Sequence, residues 1–304
     1  MARLLRLGTR GSPLALAQAR LAADALCAAH GWPEEAIELV PITTSGDRIK
    51  DRPLAELGGK MLWTKELDRC LLDGRTDLSV HSMKDVESVR PDALAIAAIP
   101  ARADPRDRLV ARPGPGSGPR PGGADAIGDL AQRARVGTSS PRRRAQLLAR
   151  RPDLKIVTMR GNVQTRLARL ERGEADAILL AAAGLDRLGL GGIGSAVEGM
   201  LPAPAQGAIG VEVRAGDNKV RSLVEAIDDE ATHRCVAAER AFLAALGGDC
   251  RSAVAAHAIE ACLRAEILSP DGDEVQAGED DDPAELARRL LAQASPALRA
   301  MFAG

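Results

Sequence analysis

Short runs of apolar residues alternate along the chain with longer segments in which apolar residues recur every three or four positions. The short runs are typical of buried strands, and the longer segments are typical of helices that bury one face. In the first half the pattern predicts strands at 4–7, 37–42, 78–81 and 94–99 and helices at 13–30 and 64–73. Strands that alternate with helices favour an α/β fold with a mostly parallel sheet.

The second half repeats this pattern after a segment rich in proline and glycine at 112–123, which we expect to be a flexible surface excursion. Its predicted elements are strands near Val136 and at 156–159, 177–180 and 208–213, with helices from Pro141 and at 163–172 and 181–188. The residues from 218 onward predict helices around a small sheet. Three domains are therefore the simplest division of the chain.

Two strand-to-helix turns have nearly the same sequence. Leu7 to Pro13 is LGTRGSP, and Val136 to Pro141 is VGTSSP. In each turn the serine can cap the helix and the proline suits the first helical position, so the N–H groups at the helix start can attract an anion. Many Ser-Pro helix starts bind nothing, so either turn alone is a weak indication. Two such turns facing each other would form an anion-binding cleft between two related halves.

The composition narrows the kind of ligand that the chain can bind. The 304 residues include 41 Lys and Arg against 42 Asp and Glu, for a net charge of −1, and 35 of the 41 bases are Arg. The aromatic residues are two Trp and two Phe, with no Tyr. Single-strand binders and readers of RNA sequence stack bases on aromatic side chains, and DNA binders carry excess positive charge. The composition therefore argues against a protein that binds nucleic acid.

The near-neutral total hides a strong local asymmetry. Residues 133–172 carry a balance of +10, whereas residues 265–304 hold nine acids against three arginines. A basic block of this kind suits a polyanionic ligand, although a solvated charged face is the alternative interpretation.

Cysteine and histidine usage gives no sign of a disulfide framework or a metal site. The five cysteines form no CxxC pair, and the four histidines are not at metal-ligand spacing. The start of the chain does not resemble a signal peptide, and no segment approaches the roughly 20 apolar residues of a membrane span. We therefore expect a cytoplasmic protein with no membrane partner.

Arginines cluster at two predicted helix starts. Arg142 to Arg144 occupy the first turn of the helix that follows VGTSSP, where cations oppose the helix dipole unless an anion is bound. The next acid along the chain is Asp153, which favours anion binding over a mixed, solvated face. Arg160 and Arg166 flank the next strand-to-helix turn, and guanidinium groups suit carboxylates.

Two further side chains could take part in chemistry. Asp85 ends a polar cluster after the strand at 78–81, at the edge where open α/β sheets bind ligands. It could stabilise a cationic intermediate or pair with a structural arginine, and the spacing favours neither. His81 is expected to pack or to form a hydrogen bond rather than to act as a base. Cys250, in the glycine-flanked loop GGDCR, is a candidate for covalent attachment because Arg251 favours its thiolate.

Ten short blocks, in order along almost the whole chain, carry a family resemblance. The blocks are GTRGSPLAL (8–16), GK (59–60), KEL (65–67), HSMKDV (81–86), DPRD (104–107), VGTSSPRR (136–143), RGNVQTRL (160–167), AGLDRLGL (183–190), LPA (201–203) and GGDCR (247–251). Together they resemble the porphobilinogen deaminase family. An ordered set of this size is highly specific, whereas a single block would not be.

The resemblance implies an α/β fold class with three domains. Two lobes like those of periplasmic binding proteins would surround a cleft, and a small α+β C-terminal domain would present Cys250. Domain 1 would comprise 1–102 with 199–217, domain 2 would comprise 103–198, and domain 3 would comprise 218–304. The resemblance also implies a monomer.

The implied activity is that of a transferase in tetrapyrrole and haem biosynthesis. It would condense four porphobilinogen molecules head to tail onto a dipyrromethane cofactor held by a thioether at Cys250, release ammonia each time, and hydrolyse off the linear tetrapyrrole hydroxymethylbilane. The cofactor and the four added rings together carry twelve carboxylates. Fixed arginine side chains can neutralise such groups without a metal.

By position in the matched blocks, Asp85 would be catalytic: it would bridge pyrrole N–H groups, assist the departure of ammonia and stabilise the cationic azafulvene. The residues that would hold the cofactor are Arg10, Ser12, Lys84, Asp85, Thr138, Ser139, Ser140, Arg142, Arg143, Arg160 and Gly184, besides Cys250. The residues that would hold the substrate are Arg10, Arg160, Arg166, Arg187, Lys60 and Lys65, the last two on a mobile lid loop. Arg144 has no such role.

Three positions depart from the pattern of the family. Glu87 and Ala253 stand where proline is usual, and Ala205 stands where glycine is usual. None of these changes removes a catalytic group, but they bear on hinge geometry and loop stiffness. The alternative function is a noncatalytic two-lobe anion-binding protein, and the presence of Asp85 and Cys250 favours the enzyme.

Overall fold

The computed structural model describes residues 5–44, 64–112, 126–248, 252–260 and 262–302. In these ranges the strands are β1 (Leu5–Arg10), β2 (Ile37–Ile42), β3 (Leu78–Ser82), β4 (Leu94–Ala98), β5 (Asp107–Ala111), β6 (Arg135–Gly137), β7 (Lys155–Val157), β8 (Ala177–Ala181), β9 (Ser195–Ala196), β10 (Ile209–Arg214), β11 (Val254–Ile259), β12 (Cys262–Leu268) and β13 (Val275–Asp280). The α-helices are α1 (Pro13–His30), α2 (Lys65–Leu72), α3 (Pro141–Arg150), α4 (Val163–Glu171), α5 (Ala182–Arg187), α6 (Asn218–Val224), α7 (Glu230–Ala245), α8 (Pro283–Gln293) and α9 (Pro296–Ala300).

The chain forms two compact units. Unit 1 comprises Met1–Ala103 and Ala208–Arg234, and unit 2 comprises Asp104–Gly207 and Cys235–Gly304. In this division into two units, the return to unit 1 begins at Ala208, and the expected bound at 199 stays a prediction. The division into three domains stays a prediction.

Unit 1 is built on a five-stranded sheet in the order β2-β1-β3-β10-β4. β1 runs parallel to β2 and β3, while β10 is antiparallel to β3 and β4. Helices α1 and α6 cover the sheet, and the core between them includes Leu26, Val211 and Val224. The three parallel strands therefore end at one edge, where the predicted ligand-binding residues of this unit lie.

The sheet of unit 2 has the same plan, in the order β7-β6-β8-β5-β9. β6 is parallel to β7 and β8, and β5 is antiparallel to β8 and β9. Each antiparallel fourth strand is the first strand after the chain enters its unit from the other one, β5 after Ala103 and β10 after Gly207. The two related α/β halves indicated by the repeated turns are thus confirmed at the level of topology.

A third, antiparallel sheet in the order β11-β12-β13 belongs to unit 2. Helices α7, α8 and α9 pack on one face of it around Phe242, Leu263 and Leu290. The fold class predicted from the sequence, two α/β sheets and a small α+β part near the C-terminus, is therefore confirmed.

Several expectations need correction. Each large sheet is mixed rather than mostly parallel, and the strands β5 and β9 were not predicted. By contrast, the helix at 13–30 and the strand at 37–42 match their predicted bounds. Of the proline- and glycine-rich segment at 112–123, all but residue 112 lie outside the described residues.

Candidate functional site

The two repeated turns form the same local structure. Ser12 caps α1, where its Oγ accepts a hydrogen bond of 3.3 Å from the amide of Ala15. Ser140 caps α3 in the same way, with a 3.4 Å bond from the amide of Arg143. A proline follows each cap at the first helical position. The predicted caps are confirmed, and both helix starts present N–H groups that suit an anion.

At the carboxyl edge of the unit 1 sheet, side chains from two turns line one small cavity. Its lining residues include Arg10 and Ser12 after β1 and His81, Ser82 and Asp85 at the end of β3. The fold has therefore brought together residues more than 70 positions apart, including the predicted catalytic acid.

Asp85 is the exposed member of this group. It lies in a 3-10 turn, Met83–Asp85, that directly follows β3. Among the described residues Asp85 makes no ion pair, so pairing with a structural arginine, one of its two expected roles, is not seen. His81 is buried and hydrogen-bonds Glu212 at 3.1 Å, as expected for a hydrogen-bonding residue.

Strand β10 holds the turn that carries Asp85. The amide of Met83 donates a 3.1 Å hydrogen bond to the carbonyl of Ala208. The Met83 side chain fills the space beside Gly210, where an added Cβ would overlap its sulfur. The first residues after the return from unit 2 therefore fix both the backbone and the side chain at the base of the turn.

A second group of predicted residues lies at the corresponding edge of unit 2. Because β6, β7 and β8 are parallel neighbours, the segments that follow them meet at one edge of the sheet. These segments carry Thr138, Ser139 and Ser140 after β6, Arg160 after β7, and Gly184 and Arg187 in α5 after β8.

The side chains of this second group differ in their surroundings. Ser139 is exposed, whereas Thr138 is buried and accepts a 3.1 Å hydrogen bond from the amide of Ser140. Arg187 donates a 2.6 Å bond to the carbonyl of Gly207, and burial lowers its pKa to about 10, so it stays charged at neutral pH. Arg166 donates to the carbonyl of Gly161 at 2.9 Å.

Arg142 and Arg143 are buried around one carboxylate. Their guanidinium groups donate to the two oxygens of Asp107 at 2.8 and 2.7 Å, and Gln206 donates to the same carboxylate at 2.8 Å. Burial opposes the charged form of Asp107, yet the two arginines hold its pKa well below the usual range. Burial also lowers the pKa of Arg142.

The Nε atoms of Arg142 and Arg143 have no hydrogen-bond partner among the described residues, although both guanidinium groups contact the carboxylate of Asp107. A second acid, Glu266, favours the charged form of Arg142 and accepts a 2.9 Å hydrogen bond from Gln146. Buried polar groups are almost always paired, so the two unpaired Nε donors favour a ligand that accepts hydrogen bonds.

Sequence reasoning missed the counter-ion of these arginines. Local counting found Asp153 as the next acid, but Asp107 reaches them from β5, 35 positions before Arg142. The only available signal was the last residue of the DPRD block, and nothing in its spacing shows which helix it faces.

The two predicted lid lysines have different outcomes. Lys60 lies outside the described residues. Lys65 is exposed, but it opens helix α2 and so does not lie on a loop, which corrects that expectation. Lys84 precedes Asp85 in its turn, and Cys250 lies outside the described residues.

Comparison with known families shows which family has these residues at the carboxyl edges of its two large sheets. Residues 5–222 match the family model described as "Porphobilinogen deaminase, dipyromethane cofactor binding domain", and residues 233–294 match "Porphobilinogen deaminase, C-terminal domain". The chain belongs to the porphobilinogen deaminase family. Membership supports the enzyme over a noncatalytic anion-binding protein.

Curated relatives agree over nearly the full length. The porphobilinogen deaminase of Sphingopyxis alaskensis is 55% identical, and the match covers 98% of this chain and 96% of the relative. That of Paracoccus denitrificans is 51% identical, with 92% and 88% covered. The match therefore includes both edges and the C-terminal sheet.

Solved structures of low identity also resemble the chain. A VFT2 domain of BvgS from Bordetella pertussis is 18% identical with a TM-score of 0.42, covering 77% of this chain and 90% of that one. A periplasmic binding protein of Salmonella typhimurium with arginine specificity is 15% identical with a TM-score of 0.41, covering 76% and 94%. At such scores the fold class rests on the sheet order above.

The residues present fit a cofactor that bears carboxylates. Unit 2 offers the buried arginine cluster with unpaired Nε atoms, the Ser140-capped helix start and the Arg160 side chain. Guanidinium groups and backbone N–H groups are the donors that carboxylates prefer. The dipyrromethane cofactor of this family, with its acetate and propionate groups, therefore suits the donor set.

Proposed function

We propose that this chain condenses four porphobilinogen molecules head to tail, releases ammonia at each step, and hydrolyses off hydroxymethylbilane. The growing chain would start from a dipyrromethane cofactor attached to Cys250. One observation carries the residue-level proposal: the fold gathers Arg10, Ser12 and Asp85 around one cavity inside the region that matches the cofactor-binding domain.

Residues proposed to hold the cofactor occur in each unit. Unit 1 would contribute Arg10, Ser12, Lys84 and Asp85. Unit 2 would contribute Thr138, Ser139, Ser140, Arg142, Arg143, Arg160 and Gly184. The bound cofactor would supply a nucleophilic pyrrole carbon at which the first substrate ring is joined. The arginines would orient carboxylates and neutralise their charge, which a lysine cannot do in the same bidentate way.

Asp85 would act where positive charge develops. When the C–N bond of the substrate's aminomethyl group breaks, ammonia leaves and the pyrrole ring becomes cationic. A fixed carboxylate that accepts the ring N–H stabilises this cation, and no described cation competes for Asp85. The same carboxylate would also offset positive charge on any pyrrole ring whose N–H it accepts.

The substrate itself would be held by arginine and lysine side chains: Arg10, Arg160, Arg166, Arg187, Lys60 and Lys65. We further propose that the protein acts as a cytoplasmic monomer that binds neither nucleic acid nor a membrane. No helix in the described ranges is long and apolar enough to cross a membrane.

The proposal is tested by the mass and the turnover of the purified protein. We expect the intact mass to exceed the sequence mass by one dipyrromethane, and we expect added porphobilinogen to be consumed with release of one ammonia per molecule. Cys250→Ser should lose both the extra mass and the turnover.

Cys262→Ser is the matched control, because Cys262 is a free, exposed thiol. It should keep the adduct and the activity. An active enzyme with an unmodified Cys250, or a purified protein that leaves porphobilinogen unchanged, would contradict the proposal.

A further inference from the structure

A buried cluster of charged side chains lies behind the Asp85 turn of unit 1. Arg90 is its centre: the guanidinium donates to Glu212 at 2.8 and 3.1 Å, to Asp68 at 2.6 Å and to Glu87 at 2.6 Å. These carboxylates come from β10, from α2 and from the segment just after Asp85. One side chain thus connects three elements around the candidate site.

Glu87 also contacts Thr64, the residue just before α2. The hydroxyl of Thr64 donates to the two carboxylate oxygens of Glu87 at 3.0 and 3.1 Å. Thr64 directly precedes α2, the position from which a threonine normally caps a helix, yet it makes no side-chain cap bond there. Thr64 is 1% exposed, so the direction of its hydroxyl is set by Glu87 rather than by water.

Helix α2 begins at Lys65, the next residue along the chain. The carbonyl of Thr64 accepts the first helical bond, from the amide of Asp68 at 2.8 Å, and the Asp68 carboxylate is held by Arg90. Both ends of this helical turn are therefore tied to the Glu87–Arg90 pair. Glu87 itself lies only two residues beyond Asp85.

We infer that Glu87 is a positioning residue that, through Thr64 and Arg90, sets the place of Lys65 relative to Asp85. The Glu87 carboxylate accepts hydrogen bonds from both Thr64 and Arg90, so one side chain links the start of α2 to the segment just after Asp85. The inference rests on the proposed function, since it gives Lys65 a part in holding the substrate.

The charges around Arg90 indicate which of its contacts can be removed without unfolding the cluster. Three carboxylates share one guanidinium, and burial raises the pKa of Asp68 despite its contact with Arg90. Removing the Glu87 charge leaves two carboxylates for Arg90, so the cluster should stay folded. The contact between Glu87 and Thr64 is the one that holds the side chain of the residue before Lys65.

The test is a double-mutant cycle on the holoenzyme, with KM for porphobilinogen and kcat measured separately. Glu87→Gln keeps the size but weakens both contacts, and Thr64→Val removes the hydroxyl. Each should raise KM by about fivefold, the worth of one net hydrogen bond, with kcat within about twofold. In a Lys65→Ala background, Glu87→Gln should raise KM no further, because the residue it positions is gone.

Glu225→Gln is the control, since Glu225 forms an exposed pair with Arg221 in the same unit. It should change neither parameter. An unchanged KM in Glu87→Gln, or an equal rise with and without Lys65, would overturn the inference. A wild-type protein that consumes no porphobilinogen would instead overturn the proposed function, so the two failures are distinguishable.

Discussion

The two units share a sheet order and a Ser-Pro turn, but the charged side chains buried behind these turns differ. In unit 1, Arg90 is surrounded by Asp68, Glu87 and Glu212. In unit 2, Arg142 and Arg143 surround Asp107. The same scaffold therefore has a carboxylate-rich cluster behind one edge and an arginine-rich cluster behind the other.

This difference matches the chemistry proposed for each edge. The first edge exposes Asp85, a carboxylate suited to a transient cation, beside Arg10 and Ser12. The second edge gathers donors for carboxylates but has no counterpart of Asp85 among the predicted site residues. The proposed catalytic acid thus distinguishes the first edge, whereas both edges carry residues proposed to bind the ligand.

The largest effect on stability is expected from Asp107→Ala. Removing the carboxylate leaves two buried guanidinium groups without a counter-ion, which costs about 3–5 kcal/mol when a buried pair is broken. Urea unfolding should show this loss. Asp107→Asn, which keeps the hydrogen-bond acceptor, should lose less.

Glu279→Ala is the control for that variant, because Glu279 pairs with Arg264 on the exposed face of the C-terminal sheet. It should hardly change the unfolding midpoint. Equal losses in Asp107→Ala and Glu279→Ala would show that the buried cluster contributes no more than a surface pair.

Acid should weaken both units, because each buries a carboxylate whose pKa is lowered, Glu212 in unit 1 and Asp107 in unit 2. Burial opposes ionisation of Glu212, but His81 and Arg90 outweigh it and lower its pKa to about 2. A carboxylate with a depressed pKa contributes stability above its unfolded pKa of about 4.3, and this contribution is lost as the pH falls towards 2. Asp68, with its raised pKa, works in the opposite direction and offsets part of the loss.

Unfolding by urea at pH values between 5 and 2 measures this effect. Glu212→Gln should flatten the decline of the unfolding free energy over that range. A decline as steep as in the wild type would mean that Glu212 is not the group responsible.

A smaller effect is expected at the base of the Asp85 turn. Gly210→Ala would force the Met83 side chain to move, and overpacking of this kind costs about 1–3 kcal/mol. Because Met83 adjoins Lys84 and Asp85, kcat should fall as well. Gly216→Ala is the matched control, since an added Cβ there meets no atom within 4 Å. If the two variants had similar kinetics, the packing of Met83 against Gly210 would not influence the turn that carries Asp85.

The smallest expected change is a gain. Ala205 lies just before the return to unit 1 and has a φ of 62°, in the left-handed region that favours glycine. Ala205→Gly should stabilise the protein by up to about 1 kcal/mol, because glycine adopts this conformation without the steric cost. A lower midpoint of thermal unfolding would show that the Cβ packing of this buried residue outweighs its strain.

Local signals predicted much of this structure. The helix at 13–30 was predicted from its Ser-Pro start and its apolar spacing, and in the structure Gly31 ends it in a left-handed conformation. The two Ser-Pro helix starts were predicted correctly because caps and prolines act over a few residues. The antiparallel strands β5 and β10 could not be assigned to their sheets, because each pairs with strands far away in the chain.

Residues of the candidate site could be predicted only where they belong to a recognisable sequence motif. Asp85 and Ser140 belong to recognisable blocks, whereas the partners Asp107, Arg90 and Glu212 act through contacts between distant segments. Their burial gave no periodic signal. Glu87 was noted as a departure from the family, but only the contact with Thr64 shows what it does.

The proposed roles of Asp85 in chemistry and of Arg160 in binding are tested most directly by steady-state kinetics of Asp85→Asn and Arg160→Ala, measured side by side on folded protein. Asp85→Asn should lower kcat by about 10²- to 10³-fold with little change in KM, because the amide cannot stabilise the cation. Arg160→Ala should raise KM by about tenfold and keep most of kcat. Asp92→Asn, an exposed carboxylate of unit 1, should behave as the wild type. A near-normal kcat in Asp85→Asn, or the same loss of kcat in both variants, would contradict the assignment.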